Sequence, residues 1–331
     1  MAVLVTGGAG YIGSHMVYAL VDAGEDVVVL DDLSTGSRKN VARAATIVIG
    51  DVGDQALVFR LLAEHRVDAV IHFAGKVVVP ESVADPLGYY FANTVKSRAL
   101  IATTVAAGVR CFVFSSTAAV YGMPPVNPVP EDALTLPFSP YGSSKLMTEW
   151  MLRDAAQAHP LAYVALRYFN VAGADLQGRT GQSTPNATHL VKVACEAALG
   201  KRLALDVYGT DYPTPDGTCV RDYIHVCDLV AAHLDALKHL RAGGDSLVLN
   251  CGYGRGFSVM DVIETVRRVS GRDFPVRFAA RRPGDPPEIV AEASRIRAIL
   301  GWQPTLDDIN LIVSHALAWE KKLNGARTVA A

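Results

Sequence analysis

The sequence predicts an α/β protein, a doubly wound parallel sheet joined to a smaller mixed α/β region toward the C-terminus. Three observations predict it. Short β-branched runs alternate with stretches of helical spacing through the first half of the chain. Those runs lack polar alternation, as strands buried on both faces do. A glycine cluster stands where the first run meets the first helix, the place where such folds turn around a ligand.

Taken in order, Ala2–Val5 is uninterrupted apolar sequence and reads as the first strand, and Ile12–Ala23 follows with helical spacing. Asp26–Leu30 and Thr46–Ile49 are the next two runs, and Gln55–His65 is the helix after them. Ala69–His72 and Cys111–Phe114 bracket a helix at Ala99–Ala107. Strands separated by helices in this way form βαβ units. Turn-rich stretches lie at Gly122–Pro130, Gly173–Pro185, Gly209–Gly217 and Arg281–Pro287. Composition becomes less regular after Gly173, so we expect residues 1–172 to form one domain and residues 173–331 a second region, with some later segments returning to the first. Met260–Val269 and Leu306–Leu323 read there as helices able to cover a cleft.

Composition bounds the function. With 31 Lys+Arg against 33 Asp+Glu over 331 residues, the net charge of −2 lacks the basic excess of a nucleic-acid binder. Hydrophobic residues at 50% and charged at 19% exclude a disordered chain. No apolar run reaches the roughly 18 residues of a membrane span, and Met1–Val5 carry no secretory signal pattern. The five cysteines, Cys111, Cys195, Cys219, Cys227 and Cys251, include no C-x-x-C pair, which suits a reducing compartment. The expectation is a cytoplasmic protein with no metal site.

Gly8, Gly10 and Gly13 fit G-x-G-x-x-G, and Gly7, Gly10 and Gly13 fit G-x-x-G-x-x-G. Glycines here allow a tight turn and let backbone N–H groups approach a pyrophosphate at the positive end of the next helix. Asp31 ends the second strand 18 residues after Gly13, where a carboxylate accepts from an adenosine ribose. Asp32 beside it repels a 2′-phosphate, which favours NAD over NADP, while Arg38 weighs the other way. Asp51-Val52 and Phe73-Ala74-Gly75 follow the next strands at the carboxyl edge, where open α/β sheets bind ligands. A glycine turn and a capping Asp with no ligand is the bland alternative.

Tyr141 and Lys145 are four apart and share one helix face. An ammonium near a phenol lowers the tyrosine pKa from about 10 and makes it a usable proton acceptor. Thr117, after the strand Cys111–Phe114, offers a hydroxyl to the same reacting oxygen. Alone, the pair is as ordinary as any surface Tyr and Lys; after a dinucleotide fingerprint it is a candidate catalytic group.

This Thr–Tyr–Lys set resembles that of the short-chain dehydrogenase/reductase superfamily, in its extended, nucleotide-sugar branch, whose cofactor domain is of Rossmann type. Leu166-Arg167-Tyr168-Phe169-Asn170, the segment Tyr208–Val226 and Ala280–Asp285 are similar to motifs of the UDP-glucose 4-epimerases within that branch, in the same order. The resemblance runs from about Ala2 to Trp319. It implies NAD as cofactor, a UDP-sugar substrate and a homodimer formed by helices around Asn93–Ala107 and Lys145–His159. Tyr141 is then the acid/base, Lys145 its modulator and a ribose ligand, and Thr117 the assisting hydroxyl. The cofactor residues implied are Gly7, Gly10, Tyr11, Ile12, Gly13, Asp31, Asp32, Leu33, Ser34, Asp51, Val52, Phe73, Ala74, Gly75, Asn93, Tyr141, Lys145 and Phe169. Substrate contacts fall to Thr117, Tyr141, Asn170, His189, Leu190, Arg221, Arg282 and Asp285, the arginines suiting a diphosphate through their planar fork.

Departures from the family pattern are Thr117 for Ser, Val77 for a frequent Lys with Lys76 one position early, and His189-Leu190 for Asn-Leu. Ile289 falls where the family varies between bulky and small residues. The activity implied is reversible C4 epimerisation of a UDP-hexose. The alternatives are a UDP-GlcNAc or UDP-pentose 4-epimerase, a decarboxylase, or a non-catalytic NAD-binding regulator. Dehydration needs an acid/base pair directly after Thr117, where Ala118 and Ala119 stand. His15, His72 and His225 lack partners at ligand spacing and read as structural.

Overall fold

A computed structural model describes residues 1–328 except Asn186 and Pro283, with only the backbone of 326–328. Pro283, in the arginine-rich motif, therefore lies outside the described residues. The chain opens with β1 (Ala2–Thr6), α1 (Tyr11–Asp22), β2 (Asp26–Asp31), β3 (Thr46–Ile49), α2 (Gln55–Glu64) and β4 (Val67–His72). Two short helices, α3 (Val79–Ala84) and α4 (Pro86–Tyr89), lead through a π turn at Tyr90–Val95 into α5 (Lys96–Ala106). Next come β5 (Cys111–Ser115), α6 (Pro140–Ala158), β6 (Ala162–Tyr168) and β7 (Asn170–Ala172). The later elements are α7 (Leu190–Ala198), β8 (Leu205–Tyr208), β9 (Val220–His225), α8 (Val226–Arg241), β10 (Leu247–Cys251) and β11 (Gly256–Ser258). The last are α9 (Val259–Ser270), β12 (Val276–Ala279), β13 (Glu288–Ile289), α10 (Ser294–Leu300) and α11 (Ile309–Thr328).

Seven strands form the central sheet in the order β10-β6-β5-β4-β1-β2-β3, every neighbouring pair parallel. This is the doubly wound α/β fold expected. Alternate residues of one strand go to different cores. Val3 and Val5 pack with Met16 and Leu20 of α1 and Leu237 of α8, whereas Ala2 and Leu4 pack with Leu61 of α2, Leu100 of α5 and Leu152 of α6. Both faces are apolar because both are covered, which explains the missing polar alternation. Chain order reverses between β1 and β4, and the crevice there is where such sheets take ligands.

β6 and β10 carry no separate signal in the sequence reading. β10 and α8 come from beyond residue 172 and return to the central sheet, β10 beside β6 and α8 against α1. Outside it, β9 pairs with β11 antiparallel and with β7 and β13 parallel, and β8 pairs with β12. The helix expected from Leu306 starts at Ile309 instead. The Asp228 carboxylate accepts from the N–H groups of Thr305 and Leu306 at 3.1 and 2.9 Å and holds them out of the helix. Both expected C-terminal helices, α9 and α11, pack against each other and α7.

Candidate active site

The first strand delivers the chain into Gly7 at φ +72°, a conformation that favours glycine. A Cβ there would stand 2.6 Å from the Ala74 nitrogen, and one on Gly13 would stand 2.1 Å from the Gly7 carbonyl oxygen. Backbone and helix therefore approach as only glycine allows. Gly10 precedes α1 and no side chain caps that helix, so its first N–H groups are left for an anion. The loop, the uncapped helix and the acidic strand end fit a dinucleotide.

Asp31 is buried at the end of β2. Its Oδ2 accepts from Ala9 N–H at 2.9 Å and its Oδ1 from Leu33 N–H at 2.8 Å, so it ties the glycine loop to the strand end. Burial raises its pKa. A carboxylate has about four acceptor positions, so these two bonds leave it capacity to accept more. Leu33 takes φ +59°, and Asp32 accepts from Ser34 N–H and Oγ. Asp51 holds Gly53 N–H and the Lys96 ammonium, and Val52 packs below it against the apolar cluster of α2 and α5. Tyr11 spends its hydroxyl on the Gly173 carbonyl at 2.8 Å, Ile12 packs into the core, and Phe73 lies 4.9 Å from the His233 ring.

Asn93, expected at the cofactor, joins the loop after β4 to α6. Its Oδ1 accepts from Lys76 N–H, and its Nδ2 donates to the Lys76 carbonyl and to Ser144 Oγ of α6. Gly75, at φ +157°, has no room for a Cβ beside Asn93 Oδ1. Lys76 points away, its ammonium 3.0 Å from Glu81 and 3.8 Å from Asp85, so it does not take the place of the lysine absent at Val77.

Ser139 caps α6 by accepting from Gly142 N–H at 3.2 Å, and Pro140 opens its first turn. Tyr141 and Lys145 follow on one buried face. Burial raises the Tyr141 pKa, and a hydrogen bond with the Thr117 side chain works against that rise. The net shift is upward, opposite to the depression the sequence predicts. The Lys145 ammonium donates to the Ser115 carbonyl at 3.0 Å and lies 5.0 Å from the Phe114 ring. Burial lowers its pKa to about 8, with Glu149 opposing.

Phe169, expected at the cofactor, packs beside the cluster of Ala118, Val120, Leu146 and Ile289. Asn170 of β7 pairs with Tyr223, and Ile289 of β13 with Arg221, so β9 gathers these positions into one small sheet. Arg221 donates to the Pro286 carbonyl at 2.8 Å and stands 3.9 Å from Asp285. Arg282 lays its guanidinium 3.7 Å over the Tyr208 ring. His189 shares a 3.3 Å contact with Gln182, and Leu190 begins α7. Sequence reasoning singled out neither Tyr208, a flat aromatic beside an arginine, nor the buried Glu149. The i, i+4, i+8 spacing of Tyr141, Lys145 and Glu149 is a signal that would have found the latter.

His72 bridges Thr6 Oγ1 and Ser97 Oγ at 2.7 and 2.8 Å. His225 caps α8 through Cys227 N–H, and His15 donates to the Tyr11 carbonyl. No group of three His, Cys, Asp or Glu able to hold a metal occurs among the described residues.

Comparison with known proteins extends this geometry. The family model described as "NAD dependent epimerase/dehydratase family" matches residues 3–252. A UDP-glucose 4-epimerase of Azospirillum brasilense is 60% identical over 97% of this chain and 92% of the relative. The UDP-glucose 4-epimerase of Brucella ovis, solved in complex with NAD, is 43% identical with a TM-score of 0.93, over 96% of this chain and 98% of that one. That of Bifidobacterium longum, in complex with NAD+ and UDP, is 38% identical with a TM-score of 0.93, over 97% and 98%.

Proposed function

The chain belongs to the NAD dependent epimerase/dehydratase family, and from that premise we propose that it interconverts UDP-glucose and UDP-galactose through Tyr141, Lys145 and Thr117. Its activity is NAD-dependent C4 epimerisation of a UDP-hexose, an isomerisation without net redox. The observation that carries the residue roles is that Tyr141 and Lys145, one turn apart on α6, are both buried.

Bound NAD would supply reversible hydride chemistry at the sugar C4. Gly7, Gly10 and Gly13, with the backbone of Tyr11 and Ile12, would hold its pyrophosphate, and Asp31 a ribose. Asp32, Leu33, Ser34, Asp51, Val52, Phe73, Ala74, Gly75, Asn93 and Phe169 would line the remainder. Tyr141 removes the proton from the sugar 4-hydroxyl and gives it back, while Thr117 shares a hydrogen bond with the same oxygens. The Lys145 ammonium favours the phenolate that this requires. Arg221 and Arg282 anchor the diphosphate, with Asp285, Asn170, His189 and Leu190 around the nucleotide, so the 4-keto hexose can turn while UDP stays in place. Residues 1–172 supply the cofactor platform in this reading and residues 173–331 mainly the nucleotide-sugar side.

A second copy of the chain would pack on the α5–α6 face. Phe91 and Trp150, 58% and 46% exposed on neighbouring helices, support that reading. No helix among the described residues is long and apolar enough to cross a membrane. All five cysteines are free, which supports work in the cytoplasm and, by its substrate, in galactose metabolism. Incubation with UDP-galactose tests the activity: UDP-glucose must form without free NADH, and a 4-keto-6-deoxy sugar or no product would refute it.

A further inference from the structure

We propose that Glu149 is a positioning residue for the epimerisation: it clamps the Thr117-bearing turn to α6 and provides the counter-charge of the Lys145 ammonium. The proposal rests on the reading of Tyr141, Lys145 and Thr117 given above.

Tyr141, Lys145 and Glu149 follow one another at intervals of four on the buried side of α6. Two of them reach consecutive residues at the end of β5. Lys145 Nζ donates to the Ser115 carbonyl at 3.0 Å, and Glu149 Oε1 accepts from Ser116 Oγ. The next residue is Thr117, whose hydroxyl accepts from Ala119 N–H at 3.1 Å and whose side chain acts to lower the Tyr141 pKa. Lys145 and Glu149 thus tie α6, which carries Tyr141, to the two residues that precede Thr117. Shifting Ser116 would move the Thr117 hydroxyl against Tyr141.

The clamp is itself held. Arg167 of β6 forks onto Glu149, Nε at 3.0 and 3.2 Å and Nη2 at 2.6 Å, with the two side chains only 7% and 4% exposed. Its other arm donates to Tyr121 Oη and to the Glu131 carbonyl. Tyr121 in turn donates to Asn250 of β10 at 2.7 Å. A buried ion pair is a costly way to fill a core, because apolar residues of equal volume would serve stability as well. Its position one turn from Lys145 supplies a reason for the charge.

The groups facing Lys145 show why the charge must come from there. β4 brings His72, which burial keeps neutral. The loop after β4 brings Gly75, and the π turn brings the neutral Asn93 amide. β5 brings a carbonyl and the Phe114 ring, and β6 brings Tyr168, bonded to Ser115 Oγ, with Arg167 spent on Glu149. Along α6 stand Tyr141, a neutral phenol, and Glu149. Burial depresses the Lys145 pKa, and the Glu149 charge opposes that effect.

Two variants separate charge from clamp. Lysine labelled with 13C at Cε gives a titration curve for each ammonium, and Lys145→Arg assigns the buried one. In Glu149→Gln the Lys145 midpoint should fall by about one pH unit. The alkaline limb of kcat should move with it, and KM for UDP-galactose should change less than about twofold. Glu149→Asp, which keeps the charge, should bring the midpoint back. In Ser116→Ala, kcat should fall roughly tenfold while midpoint and limb stay in place. An unmoved Lys145 midpoint in Glu149→Gln, or wild-type kcat in Ser116→Ala, overturns the proposal. Wild-type turnover of UDP-galactose, run beside the variants, reports separately on the activity itself.

Discussion

The Asn93 side-chain amide holds the backbone of Lys76 at both ends, accepting from its N–H at 2.8 Å and donating to its carbonyl at 3.0 Å. A third bond joins the same amide to Ser144, one residue before Lys145. The loop after β4 and α6 are thereby locked together through one residue in the π turn. Asn93→Ala leaves part-buried backbone groups of Lys76 unpaired. It should cost about 2 kcal/mol of stability and accelerate NAD loss, read from denaturant melts and from the NAD content of purified protein.

Gly13→Ala puts a methyl 2.1 Å from the Gly7 carbonyl oxygen, backbone that cannot move without opening the loop. Overpacking of this kind costs about 1–3 kcal/mol. We expect protein that purifies without NAD and melts at lower temperature, while Gly24→Ala, at a site with open space around it, should keep its NAD.

Tyr141→Phe removes the proton acceptor without disturbing the glycine loop. Turnover should fall by about 10²–10⁴-fold, the range for loss of a general acid/base, with NAD content equal to wild type. Activity near wild type would end the assignment of Tyr141.

Acid should unfold the protein early. Burial lowers the pKa of His15 and His233 to about 4 and of His72 and His225 to about 3. In the unfolded chain each returns to about 6.5. The folded state therefore refuses protons that the unfolded state takes, so stability is full above about 6.5 and falls as pH drops through that value. Asp222, which burial pushes up to about 6, acts in the opposite sense below pH 6 and offsets one histidine. Three uncompensated protons cost up to about 4 kcal/mol per pH unit. Thermal melts at pH 7.5, 6 and 5 should show a shallow and then a steep fall in Tm.

Phe91→Glu combined with Trp150→Glu places charge on the α5–α6 face without entering the core. If two copies pack there, the wild type should sediment as a dimer and the double variant as a monomer. A wild-type monomer at micromolar concentration would remove that interface.

Local sequence determined the cofactor half of this protein almost by itself. The glycine spacing, Asp31 and the runs from Ala2 to Phe114 report backbone geometry and burial on two faces, which neighbouring residues dictate. The Tyr141–Lys145 spacing is likewise a property of one helix. Tertiary structure alone decided which partners those side chains meet. It drew β10 and α8 back to the sheet, spent Asn93 on Lys76, and stacked Arg282 on Tyr208. It also brought Glu149, Ser116 and Arg167 together from three elements. The reason is physical: a helix start or a buried strand is written in consecutive residues, whereas a desolvated charge and its partner lie far apart in sequence and become neighbours only when the sheet closes over them.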